Sequence, residues 1–370
     1  MNAPDLHISQ WMDQLTQSDY SFALWRLPWT DECHLVMQTS GKVEELADIS
    51  ELNGKRGFVI SPFLPSDKHP LVYIRPDISV IGWESIEKTM FSITQNDAFQ
   101  AGKHRFMNES PKAPDKEEYE ETFHKFIVPL QEGKFKKLVL SRTATQELSD
   151  DFSPIKAFIK ACNSYPRMMI YLCHTPVSGT WIGSTPEILL SGEGKRWHTV
   201  ALAGTMPMQG EVMPETWTPK NKEEQALVAD YVRNIVKHHV GKLEEKGPYT
   251  ARAGQLVHLK TDFYFQLKGT QTLGNLLKEL HPTPAVCGLP KAETYAFITT
   301  NEKHDRRYYS GFIGWMDPDG QTDIYVNLRC MEIQDKKAIL YAGGGILPSS
   351  DIASEWEETH EKMKTMRNIL

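Results

Sequence analysis

Toward the C-terminal end of this 370-residue chain, Tyr341-Ala-Gly-Gly-Gly-Ile-Leu-Pro-Ser-Ser-Asp leads from an apolar run into a segment carrying Glu355, Glu358 and Lys362. If that segment is helical, the i, i+3, i+7 spacing sets two carboxylates and an ammonium on one face. Glycines where a strand meets a helix, here Gly344 and Gly345, let backbone N–H groups approach an anion closely. Carboxylate oxygens are hard ligands suited to Mg²⁺. The segment therefore predicts half of a site for a small carboxylated substrate bound with a divalent metal. Alone, it would read as an ordinary solvated helix face.

Other stretches supply complementary chemistry. Lys137 opens Lys-Leu-Val-Leu-Ser-Arg, and Glu187 ends Gly183-Ser-Thr-Pro-Glu. Leu202, Ala203, Gly204 and Thr205 close a strand-like run, and Glu224 falls in the first turn of a long helix. His281 lies in Leu-His-Pro-Thr-Pro-Ala, Tyr309 in Arg-Arg-Tyr-Tyr-Ser-Gly, and Arg329 late in an apolar strand. A lysine acts as a base only when uncharged, which takes burial or cationic neighbours. A carboxyl acts as an acid near neutral pH only when burial or other carboxylates raise its pKa. Arginine offers a two-pronged fork to a carboxylate.

This set, in this order over roughly residues 117–365, resembles the chorismate-binding enzymes: isochorismate, salicylate, anthranilate and aminodeoxychorismate synthases. The resemblance implies the fold of anthranilate synthase component I, with antiparallel sheets packed as a sandwich and helices outside. It implies chorismate as substrate and Mg²⁺ as cofactor, held by Glu224 and Glu358 with Glu355 nearby. Lys137 matches the base of the water-using members, and Glu187 matches the acid that protonates the departing C4 hydroxyl. Leu202, Ala203, Gly204, Thr205 and His281 match positions beside the ring. Tyr309, Arg329, Lys362, Gly344 and Gly345 match those holding the enolpyruvyl carboxylate. Ala203 stands where common aminodeoxychorismate synthases carry a nucleophilic lysine. The implied activity is that of an isomerase, isochorismate synthase, serving menaquinone or siderophore synthesis. Salicylate synthase is the alternative, and an anthranilate-type enzyme is a more distant one. No amidotransferase subunit is expected, and a monomer is.

The elements that must position these residues can also be read. A helix is expected over 116–131, with Tyr119, Phe123, Phe126, Ile127 and Leu130 on one stripe, and another over 222–243. Strands are expected at Lys137–Arg142, Met168–Cys173, Trp181–Ser184, Glu187–Leu190 and Trp197–Ala203, the last two joined by a Ser-Gly-Glu-Gly-Lys-Arg turn. Gly311–Trp315, Ile324–Leu328 and Ala338–Tyr341 form an expected antiparallel meander, and the mixture indicates α+β. The polar, proline-bearing stretch from Met107 suggests a boundary near 115, with 1–115 adding strands and 116–370 holding the site.

Composition sets the outer limits. With 40% hydrophobic and 24% charged residues the chain reads as globular. A net charge of −7 argues against nucleic acid as partner. Five scattered cysteines without a CxxC spacing read as reduced. With no basic-then-apolar leader and no apolar run near the roughly 18 residues needed to span a bilayer, neither export nor membrane insertion is expected, and cytoplasm is.

Overall fold

The computed structural model describes residues 6–94, 113–208, 210–214, 216–240 and 242–370. In chain order come α1 (Leu6–Leu15), β1 (Ser21–Arg26), β2 (Cys33–Gln38), β3 (Glu44–Leu46), β4 (Gly57–Ser61), β5 (Leu71–Ile74), β6 (Ile78–Ile81) and α2 (Trp83–Thr94). Next are α3 (Lys116–Gln131), β7 (Lys137–Glu147), α4 (Pro154–Ser164), β8 (Met169–Thr175), β9 (Gly179–Thr185), β10 (Ile188–Glu193) and β11 (Arg196–Pro207). Then follow α5 (Pro219–His239), β12 (Leu243–Ala253), β13 (Leu256–Phe265), α6 (Leu273–Leu280), β14 (Gly288–Leu289) and α7 (Lys291–Asn301). The chain ends with β15 (Phe312–Met316), β16 (Thr322–Val326), β17 (Cys330–Gln334), β18 (Lys337–Ile346) and α8 (Ile352–Arg367).

The strands form two nine-stranded antiparallel sheets, ordered β14-β7-β18-β17-β9-β8-β1-β2-β6 and β12-β13-β11-β10-β16-β15-β4-β5-β3. Strands from before residue 115 extend both: β1 pairs with β8 and β4 with β15. Successive side chains on a strand point to opposite faces, and here both faces are covered. On β8, Met169, Tyr171 and Cys173 join an aromatic-rich layer between the sheets, with Trp25, Phe58, Ile313 and Tyr325. Ile170 and Leu172 turn the other way, against Phe158 of α4 and Met363 of α8. On the far side of the second sheet, Ala201 and Phe263 meet Val228 and Val232 of α5 and Leu277 of α6. Burial on both faces explains why so many strands read as continuous apolar runs. The α+β sandwich with outer helices is the architecture expected.

Local signals explain several element ends. Asp115 caps α3 in a reciprocal capping box with Glu118, and the helix spans the residues expected of it. The Thr218 hydroxyl and Pro219 start α5, three residues earlier than the periodicity indicates. Among the described residues no helix is long and apolar enough to cross a membrane.

The expected C-terminal meander is not one meander. β15 pairs with β16 in one sheet, whereas β17 pairs with β18 in the other. The chain passes between the sheets through Asn327-Leu328-Arg329, so Arg329 lies in a crossover and not late in a strand. Arg329 has φ +46°, a left-handed conformation uncommon outside glycine. A second crossover lies at Pro186-Glu187, between β9 of the first sheet and β10 of the second. Backbone and hydroxyl bonds tie the two passages together. Ser184 N–H donates to Arg329 O at 3.0 Å and Val326 N–H to Glu187 O at 2.9 Å, and Thr185 Oγ1 donates to Val326 O at 2.6 Å.

Candidate active site

A narrow cleft opens where these crossovers meet β11, α5, β18 and α8. Glu187, Leu202, Ala203, Gly204, Thr205, Glu224, Tyr309, Arg329, Gly345 and Lys362 all line it. The fold thus gathers on one wall residues that are far apart in the chain.

Glu187 follows Pro186 at the crossover and is 2% exposed. Burial pushes its carboxyl up to about 8, although the positive charge of Lys137 pulls the other way. Thr283 Oγ1 reaches Glu187 Oε1 only at 3.5 Å. A buried carboxyl without a close ion pair keeps its proton near neutral pH.

Lys137 begins β7 with no exposed surface. Its Nζ lies 2.9 Å from Glu224 Oε1, in an ion pair without the geometry of a directed hydrogen bond. It sits directly behind Gly345, where an added Cβ would come 2.9 Å from Lys137 Cε and 2.0 Å from Glu224 Oε1. Only glycine fits there. Burial would raise Glu224, but Lys137 and Lys220 beside it outweigh burial and hold it below the usual carboxylate range.

Strand alternation separates the glycines. Gly343 and Gly345 face the cleft, and Gly344 does not. A Cβ on Gly344 would meet Glu355 Oε2 at 3.0 Å and Glu358 Oε1 at 3.3 Å. Its lack of a side chain permits close approach by the two α8 carboxylates. Lys362 Nζ donates to Gly343 O at 2.8 Å and pairs with Glu358 at 2.7 Å. Glu355 is paired with Lys220 of α5. Burial and the neighbouring Glu358 nevertheless raise its carboxyl to about 7. Glu355 Oε2 is buried without a hydrogen-bond partner. As the site stands, no group of three acidic, histidine or cysteine side chains is set to grip a metal among the described residues, and each glutamate is paired with a lysine. The donor set still suits a hard cation, with three carboxylates around one strand end and one buried oxygen unsatisfied.

His281 is not on the cleft wall. Its Nε2 faces Phe63 O at 3.3 Å, and its ring stands edge-on to Phe312 at 5.2 Å. Burial lowers it to about 3, so it is a neutral packing residue. The loop it begins reaches the cleft through Ala285 and Val286 instead.

The histidine that does line the cleft is His258 on β13, which the sequence did not reveal. Its Nδ1 lies 2.9 Å from Gly204 O and its Nε2 2.6 Å from Arg329 Nη2. Burial, reinforced by Arg329 and Lys362, drives its pKa well below the ordinary value. The neutral ring therefore donates from Nδ1 to the carbonyl and accepts at Nε2 from the guanidinium. Burial also lowers Arg329, to about 10, which leaves it charged at neutral pH. Gln225 fixes the neighbouring bulge in β11: Ala203 N–H donates to its Oε1 at 2.9 Å, and its Nε2 donates to Ala201 O at 3.0 Å. Gly204 sits in that bulge at φ +70°.

The cleft thus offers a protonated carboxyl, a guanidinium set by a neutral histidine, Glu224 and Lys362; off its lining, Lys137 pairs with Glu224, Glu358 with Lys362, and Glu355 with Lys220. Residues 77–370 match the family model described as chorismate binding enzyme. Isochorismate synthase EntC of Escherichia coli (strain K12) is 31% identical over 209 residues, 54% of this chain and 54% of that protein. The chain therefore spans about half the length of that relative. The salicylate biosynthesis isochorismate synthase of Pseudomonas aeruginosa is 28% identical over 266 residues, 70% of this chain and 56% of that protein. Among solved structures, MenF, the menaquinone-specific isochorismate synthase from Escherichia coli, superposes with a TM-score of 0.76 at 20% identity, covering 100% of this chain and 92% of that one. At that identity the likeness speaks for the fold. The chain belongs to the chorismate-binding enzyme family.

Proposed function

We propose that the chain is an isochorismate synthase that adds water at C2 of chorismate and releases the C4 hydroxyl. The carrying observation is a cleft carboxyl raised to about 8, Glu187, together with a fully buried lysine, Lys137, paired to the cleft residue Glu224. Glu187 holds the proton that the leaving hydroxyl needs. Lys137, in its uncharged form, is the base that takes a proton from the attacking water. Arg329, oriented by His258 at 2.6 Å, and Tyr309 take the enolpyruvyl carboxylate. Ala203 leaves the ring no lysine nucleophile from β11, which supports the reading against the covalent route of aminodeoxychorismate synthesis, and Lys137 supports water over ammonia. Nearness to relatives named isochorismate synthases supports the same reading.

Glu224, Glu358 and Glu355 would hold Mg²⁺, which when bound supplies a positive charge that orients and neutralises the substrate's ring carboxylate. The reading extends to menaquinone or siderophore supply, a cytoplasmic location and action without an amidotransferase subunit.

Product analysis tests the assignment. Chorismate and Mg²⁺ should give isochorismate alone by chromatography. Salicylate with pyruvate would make the chain a salicylate synthase, and anthranilate from ammonium would move it to the amine-using class.

A further inference from the structure

Each of the three clustered glutamates is held by a lysine: Glu224 by Lys137, Glu358 by Lys362 and Glu355 by Lys220. Lys137 has the proton to move, and Lys362 reaches the cleft wall through Gly343 O. Lys220 does neither. It is off the cleft wall, in the first turn of α5 and one helical turn before Glu224. The helix that delivers one carboxylate therefore delivers a cation with it. The ammonium of Lys220 feels the charge of Glu355, Glu224 and Glu358 together. Its partner Glu355 is 2% exposed and keeps one buried oxygen without a hydrogen bond.

Three converging carboxylates repel one another unless a cation lies among them. An ammonium and a divalent ion at the same place would also repel strongly, so only one can stay. The Lys220 side chain is 22% exposed and ends a flexible four-carbon stem, so it has a way out to solvent.

We propose that Lys220 is a built-in counter-cation, paired with Glu355 of the glutamate cluster while the metal position is empty and withdrawing when a divalent ion enters. This rests on reading those glutamates as metal ligands. Lys220 thereby sets the metal affinity of the substrate-free protein, keeping it weak until substrate adds its own carboxylate.

Calorimetric titration of substrate-free protein with MgCl₂ alone tests this without any turnover. Lys220→Met should bind Mg²⁺ at least about tenfold more tightly than the unaltered chain, since the tethered competitor is gone. Lys220→Arg should bind no more tightly than the unaltered chain. Melting should agree, with a larger Mg²⁺-induced rise in Tm for Lys220→Met. If that variant does not fold, Lys220→Gln keeps a donor toward Glu355 without the charge and should show the same tightening. Unchanged or weaker Mg²⁺ binding in the uncharged variant, together with loss of binding in Glu358→Ala, overturns the role of Lys220 and leaves the metal ligands standing. Absence of Mg²⁺ binding in all variants and in the unaltered chain overturns both.

Discussion

Glu187 and Glu224 are the same residue type, both buried in one cleft, and they end in opposite protonation states. Glu187 sits at a crossover between sheets without a close cation, and burial raises it to about 8. Glu224 sits on α5 with Lys137 at 2.9 Å, and the lysines hold it ionised. Glu355 lies between these cases, paired with Lys220 yet raised to about 7 by burial and Glu358. The difference shows that position in the sandwich, through the nearest charge, divides the work among identical side chains. One glutamate keeps its proton, and the other keeps its charge.

The strongest way to break this contrast is to remove its lysine. Lys137→Ala should cost about 10²–10⁴-fold in isochorismate formation, the usual loss of a general base. A variant keeping more than about a tenth of the activity while folded would show that Lys137 is not the base. Next, Glu187→Gln keeps the shape but cannot act as an acid. Its kcat should collapse while KM changes little, and a normal kcat with a raised KM would make Glu187 a positioning residue.

On the ionised side, Glu224→Ala and Glu358→Ala should remove Mg²⁺-dependent activity, and Glu355→Ala should be milder. Assays across a Mg²⁺ series would expose a reversed order. The smallest effects lie in the pH dependence. In its proposed role as the acid Glu187 must be protonated, so activity should fall as pH rises through about 8. Its folded pKa is raised above the ordinary 4.5, so the folded state binds the extra proton between those values. The stability this confers is full below about 4.5 and lost as pH rises toward about 8. Glu187→Gln should flatten that slope in melts run at several pH values, and an unchanged slope would assign it to another group.

Much of this site was legible because its residues sit in short runs with their own signatures. Lys137 opens an apolar strand, Glu187 follows a proline, and the glycines precede a charged helix. His258 had no such signature, since Gln255-Leu-Val-His-Leu is an ordinary strand segment. Its meaning comes from Arg329, 71 positions away in the chain. Lys220 likewise looks like a solvated residue until folding brings Glu355 against it. β12 escaped notice because Leu-Glu-Glu-Lys-Gly-Pro carries charges and a Gly-Pro break, and most of its side chains are exposed. The splitting of the expected meander between two sheets is a long-range choice that local turn chemistry does not encode. His281 misled for the converse reason: a proline-flanked histidine looks functional, and here it packs against Phe312.

The most direct measurement is turnover of chorismate with Mg²⁺ in water enriched in oxygen-18, read by mass spectrometry of the product. In the proposed mechanism, water activated by Lys137 adds at C2 as Glu187 releases the C4 hydroxyl, so early isochorismate should carry one labelled oxygen, at the C2 hydroxyl. Unlabelled isochorismate formed at the same rate would mean that the original hydroxyl migrates within the substrate, and the division of labour between Lys137 and Glu187 would be wrong.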